Sequence, residues 1–158
     1  MEYIIDGYNL IKSSSFSRYE ARGITYSIQM LINILYDYSR KHPSVSFTVV
    51  FDGNPPLPYT FLHTKGMKLL FSGDITADEV IRKKVEKIPE KNISRIVVSD
   101  DRGVKETGRL FGARVLSIAE FLGIVYPERR KQRGRIEERK KDVNELKIEK
   151  ELKRHYKI

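Results

Sequence analysis

The chain has 158 residues, enough for one domain with a proper core, and carries a formal net charge of +9. It has no cysteine and only three histidines, His42, His63 and His155, none at a metal-motif spacing from another, which excludes disulfides and thiolate sites and argues against zinc. No apolar run reaches the roughly 18 residues of a membrane span, and with no secretory h-region the expectation is a cytoplasmic protein with no membrane partner.

The first run, Tyr3-Ile4-Ile5, is short and apolar and stops at Asp6-Gly7; it predicts a strand. Gly7-Tyr8-Asn9-Leu10-Ile11 and the polar stretch from Lys12 to Gly23, with Ser13, Ser14 and Ser15, read as a loop, with a helix beginning near Tyr19. Ile24, Ile28, Leu31, Ile32, Leu35 and Tyr38 then recur at three- and four-residue steps, the period of an amphipathic helix. His42-Pro43 ends it. A second strand, Ser46 to Phe51, stops at Asp52-Gly53. Asn54-Pro55-Pro56-Leu57-Pro58 cannot continue a central strand and predicts a surface loop, with room for an irregular hairpin.

Met67 to Phe71 is the third expected strand. Thr76-Ala77-Asp78-Glu79 then opens a helix through a capping box, in which Thr76 and Glu79 satisfy each other's amides. Val80, Ile81, Val85 and Ile88 give it an apolar side, and Pro89 closes it. Arg95 to Ser99 is a strand that runs into Asp100-Asp101. A short helix from Arg102 to Phe111 follows, with Gly112 as its stop. Ala113 to Leu116 is the last strand, and Ser117 caps a short helix through Phe121-Leu122.

This alternation predicts an α/β layered domain around a mostly parallel sheet. In such sheets the ligand crevice lies outside the carboxyl ends of the strands. Asp6, Asp52 and Asp100/Asp101 therefore fall on one edge. A carboxylate cluster is costly without a cation, and with soft ligands missing the expected metal is Mg²⁺ or Mn²⁺. Each acid also has a structural explanation. Asp6-Gly7 and Asp52-Gly53 are turn dipeptides, Asp78 complements a helix dipole, and Asp100 or Asp101 can cap a helix.

Beyond Tyr126-Pro127 the composition changes. Residues 127–158 hold 13 Lys/Arg against 7 Asp/Glu, so +6 of the net charge of +9 lies there. Arg129, Arg130, Lys131, Arg133 and Arg135 cluster ahead of a helical pattern, Ile148, Leu152 and Tyr156. The division is a domain over 1–126 and a basic, helical tail over 127–158. Such a cluster suits phosphate neutralisation, and an acidic edge on a basic protein suits a polyanionic substrate.

Five pieces in order resemble the YacP-like branch of NYN domains, PIN-like ribonucleases. They are Ile5-Asp6-Gly7-Tyr8-Asn9-Leu10-Ile11, Phe51-Asp52-Gly53, Thr76-Ala77-Asp78-Glu79, Val98-Ser99-Asp100 and Phe111-Gly112-Ala113-Arg114. The resemblance covers roughly residues 1–123. It implies a three-layer PIN-like (NYN) fold with a charged C-terminal tail, and a Mg²⁺- or Mn²⁺-dependent endoribonuclease leaving 5′-phosphate and 3′-hydroxyl ends. It implies site roles for Asp6, Asn9, Asp78 and Asp100, with Asp101 and Asp52 as neighbouring acids. The implied partner is RNA, free or presented by the ribosome. The alternative is a catalytically inactive RNA- or ribosome-binding module of the same fold. A haloacid dehalogenase phosphatase would need a second aspartate where Tyr8 stands, and a receiver domain a lysine where Ser117 stands.

Overall fold

The structure is a computed structural model and describes residues 1–55, 63–64, 66–87 and 93–127. The chain divides into two units, Met1–Val125 and Tyr126–Ile158. The expected tail helix, and Arg129, Arg130, Lys131, Arg133 and Arg135 with it, lie outside the described residues, as do Ile88 and Pro89 and the loop from Pro56.

Among the described residues six strands form one sheet in the order β3-β4-β2-β1-β5-β6. They are β1 (Glu2–Asp6), β2 (Ser46–Phe51), β3 (His63–Thr64), β4 (Met67–Phe71), β5 (Arg95–Val98) and β6 (Arg114–Leu116). All pairings are parallel except the short edge strand β3, which runs antiparallel to β4. The helices are α1 (Gly7–Lys12), α2 (Ser17–Glu20), α3 (Ile24–Lys41), α4 (Ala77–Glu86), α5 (Arg102–Leu110) and α6 (Ile118–Val125).

Side chains alternate across the strands and build two cores. On one face Ile4, Val50 and Val97 pack with Ala77, Ile81 and Val85 of α4 and Val104 of α5. On the other, Tyr3, Phe47 and Phe121 form an aromatic cluster, with Tyr38 of α3 edge-on to Phe47. The central strands are buried on both faces, which is why they read as continuous apolar runs. No helix among the described residues is long and apolar enough to cross a membrane.

The expected loop after β1 is helical. Asp6 caps α1, accepting from the Asn9 amide at 3.1 Å, and Leu10 and Ile11 bury completely. Burial of those two outweighs the polar look of the segment, as tertiary packing does for short helices. The long helix starts at Ile24 rather than near Tyr19, because Gly23 at φ 95° separates it from α2. The α4 capping box is present as expected, with Glu79 N–H donating to Thr76 Oγ1 at 3.2 Å and Thr76 N–H to Glu79 Oε2 at 3.3 Å. Ser117 and Glu120 cap α6 in the same reciprocal way.

Candidate active site

β1 lies between β2 and β5, and the chain leaves the two strands β1 and β5 toward opposite faces of the sheet. After β1 it enters α1, which packs with α3; after β5 it enters α5, which packs with α4. A crevice opens where neighbouring strands part in this way. Asp6 ends β1 and Ser99-Asp100-Asp101 follows β5, so sequence order puts these four residues at its mouth.

A hydrogen-bond knot around Ser99 joins the two sides. The Ser99 side chain is fully buried, and its Oγ lies 3.2 Å from Asp6 Oδ2 and 3.2 Å from Asn9 Oδ1. One hydroxyl proton serves both acceptors. The Asp101 amide donates to the same Oγ at 3.0 Å. Asn9 Oδ1 also accepts from the Asp100 amide at 2.7 Å, which fixes the orientation of its side-chain amide because a backbone N–H can only donate. Asn9 thus ties α1 to the β5–α5 connection.

Asp52 brings in α4. Its Oδ1 accepts from the Ala77 amide at 2.6 Å, pinning the start of α4 to the end of β2 across 25 residues. Asp78 is the next residue, exposed in the first helical turn. Gly7 permits the close approach of α1: a Cβ there would lie less than 3.0 Å from three atoms of the Phe51 ring. That ring is itself fully buried, stacked on Phe71 and edge-on to Tyr8.

The electrostatics mark this edge as different from its opposite. At the other end of β1, Glu2 is met by Lys84 at 2.8 Å, Arg95 at 3.9 Å and Thr48 Oγ1 at 2.9 Å. Burial alone would raise its pKa, but those partners hold it below the usual carboxylate range. Among the described residues no basic group lies within 4.0 Å of Asp6, Asp52, Asp78 or Asp101. Burial pushes Asp6 up to about 6, opposed by its bonds from Asn9 and Ser99 and reinforced by the charges of Asp78 and Asp52. Asp78 is also raised, first by desolvation and then by Asp101 and Asp52.

Asp6, Asp52, Asp78 and Asp101 therefore share one field. Asp100 faces elsewhere: its Oδ1 accepts from the Ile118 amide at 3.1 Å and stands 4.0 Å from Lys105 Nζ. Of the two neighbouring acids, Asp101 is the one whose charge acts on Asp78. The acids do not gather as a ligand shell, since among the described residues no three acidic or imidazole side chains stand together closely enough to hold a metal ion. Asp6, Asp52 and Asp101 each commit an oxygen to a helix-start amide, those of Asn9, Ala77 and Val104.

Reading the residues one at a time missed the central part of Ser99. Its signal is a hydroxyl that ends a β-branched run and immediately precedes two acids.

Solved structures place the fold. The chain is similar to the crystal structure of the W164L mutant of Rae1 (YacP) from Bacillus subtilis, with 23% identity and a TM-score of 0.63 over 91% of this chain and 83% of that one. It is similar also to a second crystal structure of Rae1 (YacP) from Bacillus subtilis, with 22% identity and a TM-score of 0.58 over 99% and 92%. Comparison with curated proteins returns no match. The family description "YacP-like NYN domain" matches residues 3–157, which extends the likeness beyond the five motifs and through the basic tail. With the α/β fold and the acidic strand-end site in place, the chain belongs to the YacP-like NYN domain family.

Proposed function

We propose that this protein is a metal-dependent endoribonuclease that hydrolyses RNA at the acidic carboxyl edge of its sheet. One observation carries the reading. In a chain of net charge +9, four carboxylates share an edge with no basic partner among the described residues, while Glu2 at the opposite edge has two. Uncompensated charge of that kind suits an oxygen-ligated divalent cation.

One or two carboxylates from among Asp6, Asp78 and Asp101 would hold Mg²⁺ or Mn²⁺, with water and phosphate oxygens completing its shell because no three acids gather among the described residues, with Asp52 beside them and Asp100 bracing the connection to α6. Once bound, the cation would acidify water for attack on phosphorus and offset charge on the leaving oxygen. The remaining work falls to the chain. Ser99 and the Asn9 amide hold the Asp6 carboxylate in one orientation. Asn9, with Oδ1 committed, has its side-chain NH₂ left to orient a phosphate oxygen. Asp52 sets the position of Asp78 through the Ala77 amide. Hydrolysis would leave 5′-phosphate and 3′-hydroxyl ends. RNA is the proposed partner, free or on the ribosome.

A second reading has its own support. Because no three acids gather in ligating reach, the domain could serve as a catalytically inactive RNA- or ribosome-binding module. Labelled single-stranded RNA incubated with the protein in Mn²⁺ or EDTA separates the two. The nuclease cleaves only with Mn²⁺, and Asp6→Asn and Asp78→Asn each lose cleavage by about a hundredfold or more, as removal of a transition-state charge contact does. Mn²⁺ should also raise the melting temperature of the wild type and not of Asp78→Asn. Unchanged cleavage in both variants, or a melting point indifferent to Mn²⁺, favours the binding module.

A further inference from the structure

The ends of β2 and β4 hold a donor and an acceptor that the fold leaves unused. The two strands pair in parallel with Phe51 beside Phe71, so Asp52-Gly53 and Ser72-Gly73 leave the sheet as neighbours. Both glycines take positive φ, 74° and 62°, a conformation that a residue with a Cβ rarely adopts. Three hydrogen bonds lace the two turns together. Ser72 N–H donates to the Phe51 carbonyl at 2.9 Å, Gly73 N–H to the Gly53 carbonyl at 3.0 Å, and Gly53 N–H to Ser72 Oγ at 3.0 Å. The last of these fixes the Ser72 hydroxyl against the residue that follows Asp52.

That bond accounts for the oxygen at position 72 and not for its proton. A hydroxyl carries a donor as well as its lone pairs, and among the described residues the Ser72 proton has no acceptor. Asp52 is the converse. Its Oδ1 is taken by the Ala77 amide, whereas among the described residues Oδ2 accepts from no donor. Asp52 is exposed and Ser72 half-buried, so both groups can be reached. The turns themselves are open above: a Cβ on Gly53 or Gly73 would meet nothing within 4 Å. A ligand can therefore come down to the backbone at this place. Asp78 follows the Ala77 amide that Asp52 holds, so the two turns border the candidate metal site.

We propose that Ser72 and Asp52 read the ribose 2′-hydroxyl of the bound strand and so distinguish RNA from DNA. That hydroxyl is donor and acceptor at once, and it is the sugar group that DNA lacks. Its proton goes to Asp52 Oδ2, and its oxygen takes the proton of Ser72. A phosphate does not fit the pair, because it offers only acceptors and the carboxylate repels it. Deoxyribose leaves both protein groups without a partner from the strand. This inference rests on the RNA-cleaving reading and assigns its choice of sugar.

The test uses the full chain and two fluorescent single strands of equal length and identical bases, an oligouridine and an oligodeoxyuridine. Binding is followed by anisotropy with Ca²⁺ in place of Mn²⁺. The wild type should hold the ribose strand about tenfold tighter, as hydrogen bonds that include a charged acceptor allow. Ser72→Ala should bring the two affinities to within about twofold of each other by weakening the ribose strand alone, and Ser72→Thr, which keeps the hydroxyl, should retain the preference. Equal weakening of both strands marks a merely structural serine and overturns the proposal, as does full preference in Ser72→Ala or none in the wild type. Those results leave the nuclease standing if Asp78→Asn abolishes cleavage in Mn²⁺. Conversely, a preference lost in Ser72→Ala with Asp78→Asn cleaving normally keeps the sugar reading and removes the nuclease. If Ser72→Ala melts early, Asp52→Asn carries the comparison, since it keeps an acceptor for Ala77 and puts an NH₂ in place of Oδ2. Half or more of the preference should then disappear, and its full retention overturns the inference.

Discussion

Asp6 is the residue where structure and chemistry conflict most sharply. It is 7% exposed, caps α1, takes a bond from Ser99 and, among the described residues, still has no basic partner. Its folded-state pKa, about 6, stands above the ordinary 3.8. The folded chain therefore binds this proton more tightly than the unfolded chain does. Stability from this group is fully present below pH 4 and is lost as pH rises from about 4 to about 6. The shift is worth at most about 3 kcal/mol above that window. Asp6→Asn keeps a cap acceptor and removes the charge, so in EDTA at pH 7.5 it should be more stable than wild type by about 1–3 kcal/mol. Denaturant melts at pH 4 and pH 7.5 check this: the advantage should shrink at the lower pH. Equal or lower stability of the variant at pH 7.5 would mean that the carboxylate is compensated by some other charge.

Among the elements, the connections to helices do most to shape the site. Gly7 lets α1 begin against Phe51, and no other side chain fits there. Gly7→Ala should destabilise the fold by about 1–3 kcal/mol, the usual cost of overpacking, because the ring it meets is clamped between Phe71 and Tyr8. A thermal melt reads this directly. Asp52 acts at the start of α4 in a different way. Asp52→Ala removes the acceptor for the Ala77 amide and should cost about 1 kcal/mol. It should also reduce cleavage by freeing the helix turn that carries Asp78. Asp52→Asn retains the acceptor and should recover most of the stability. If the Ala and Asn variants behave alike, Asp52 acts through its charge rather than as a tether.

At the scale of the whole molecule the charge is unevenly shared, with +6 of +9 in residues 127–158. The family likeness runs through that segment. Counterion release predicts that truncation after Tyr126 weakens RNA binding and flattens the slope of log affinity against log salt. The truncation should leave the Mn²⁺-dependent melting shift in place, since the acids all lie before it. An unchanged slope would assign the tail to solubility or to protein contacts.

Local pattern was enough for much of this molecule. The five parallel strands, α3 to α5 and the α4 capping box follow from apolar period, β-branched runs and the Thr76/Glu79 pair, all of which act within a few residues. That Asp6, Asp52 and Asp101 end or follow strands is equally local, and parallel topology then implies a common edge. The first helix was not legible, because its stability comes from burying Leu10 and Ile11 against a sheet formed by distant residues. The different bonding of Asp100 and Asp101 was closed to sequence for a similar reason. It depends on Ile118, whose amide takes Asp100, and on Val104, whose amide takes Asp101. The Ser99 knot joins residues 90 or more apart in the chain. Periodicity reports which face of an element is apolar, whereas the rotamer of a polar side chain follows from partners that only the folded chain brings within reach.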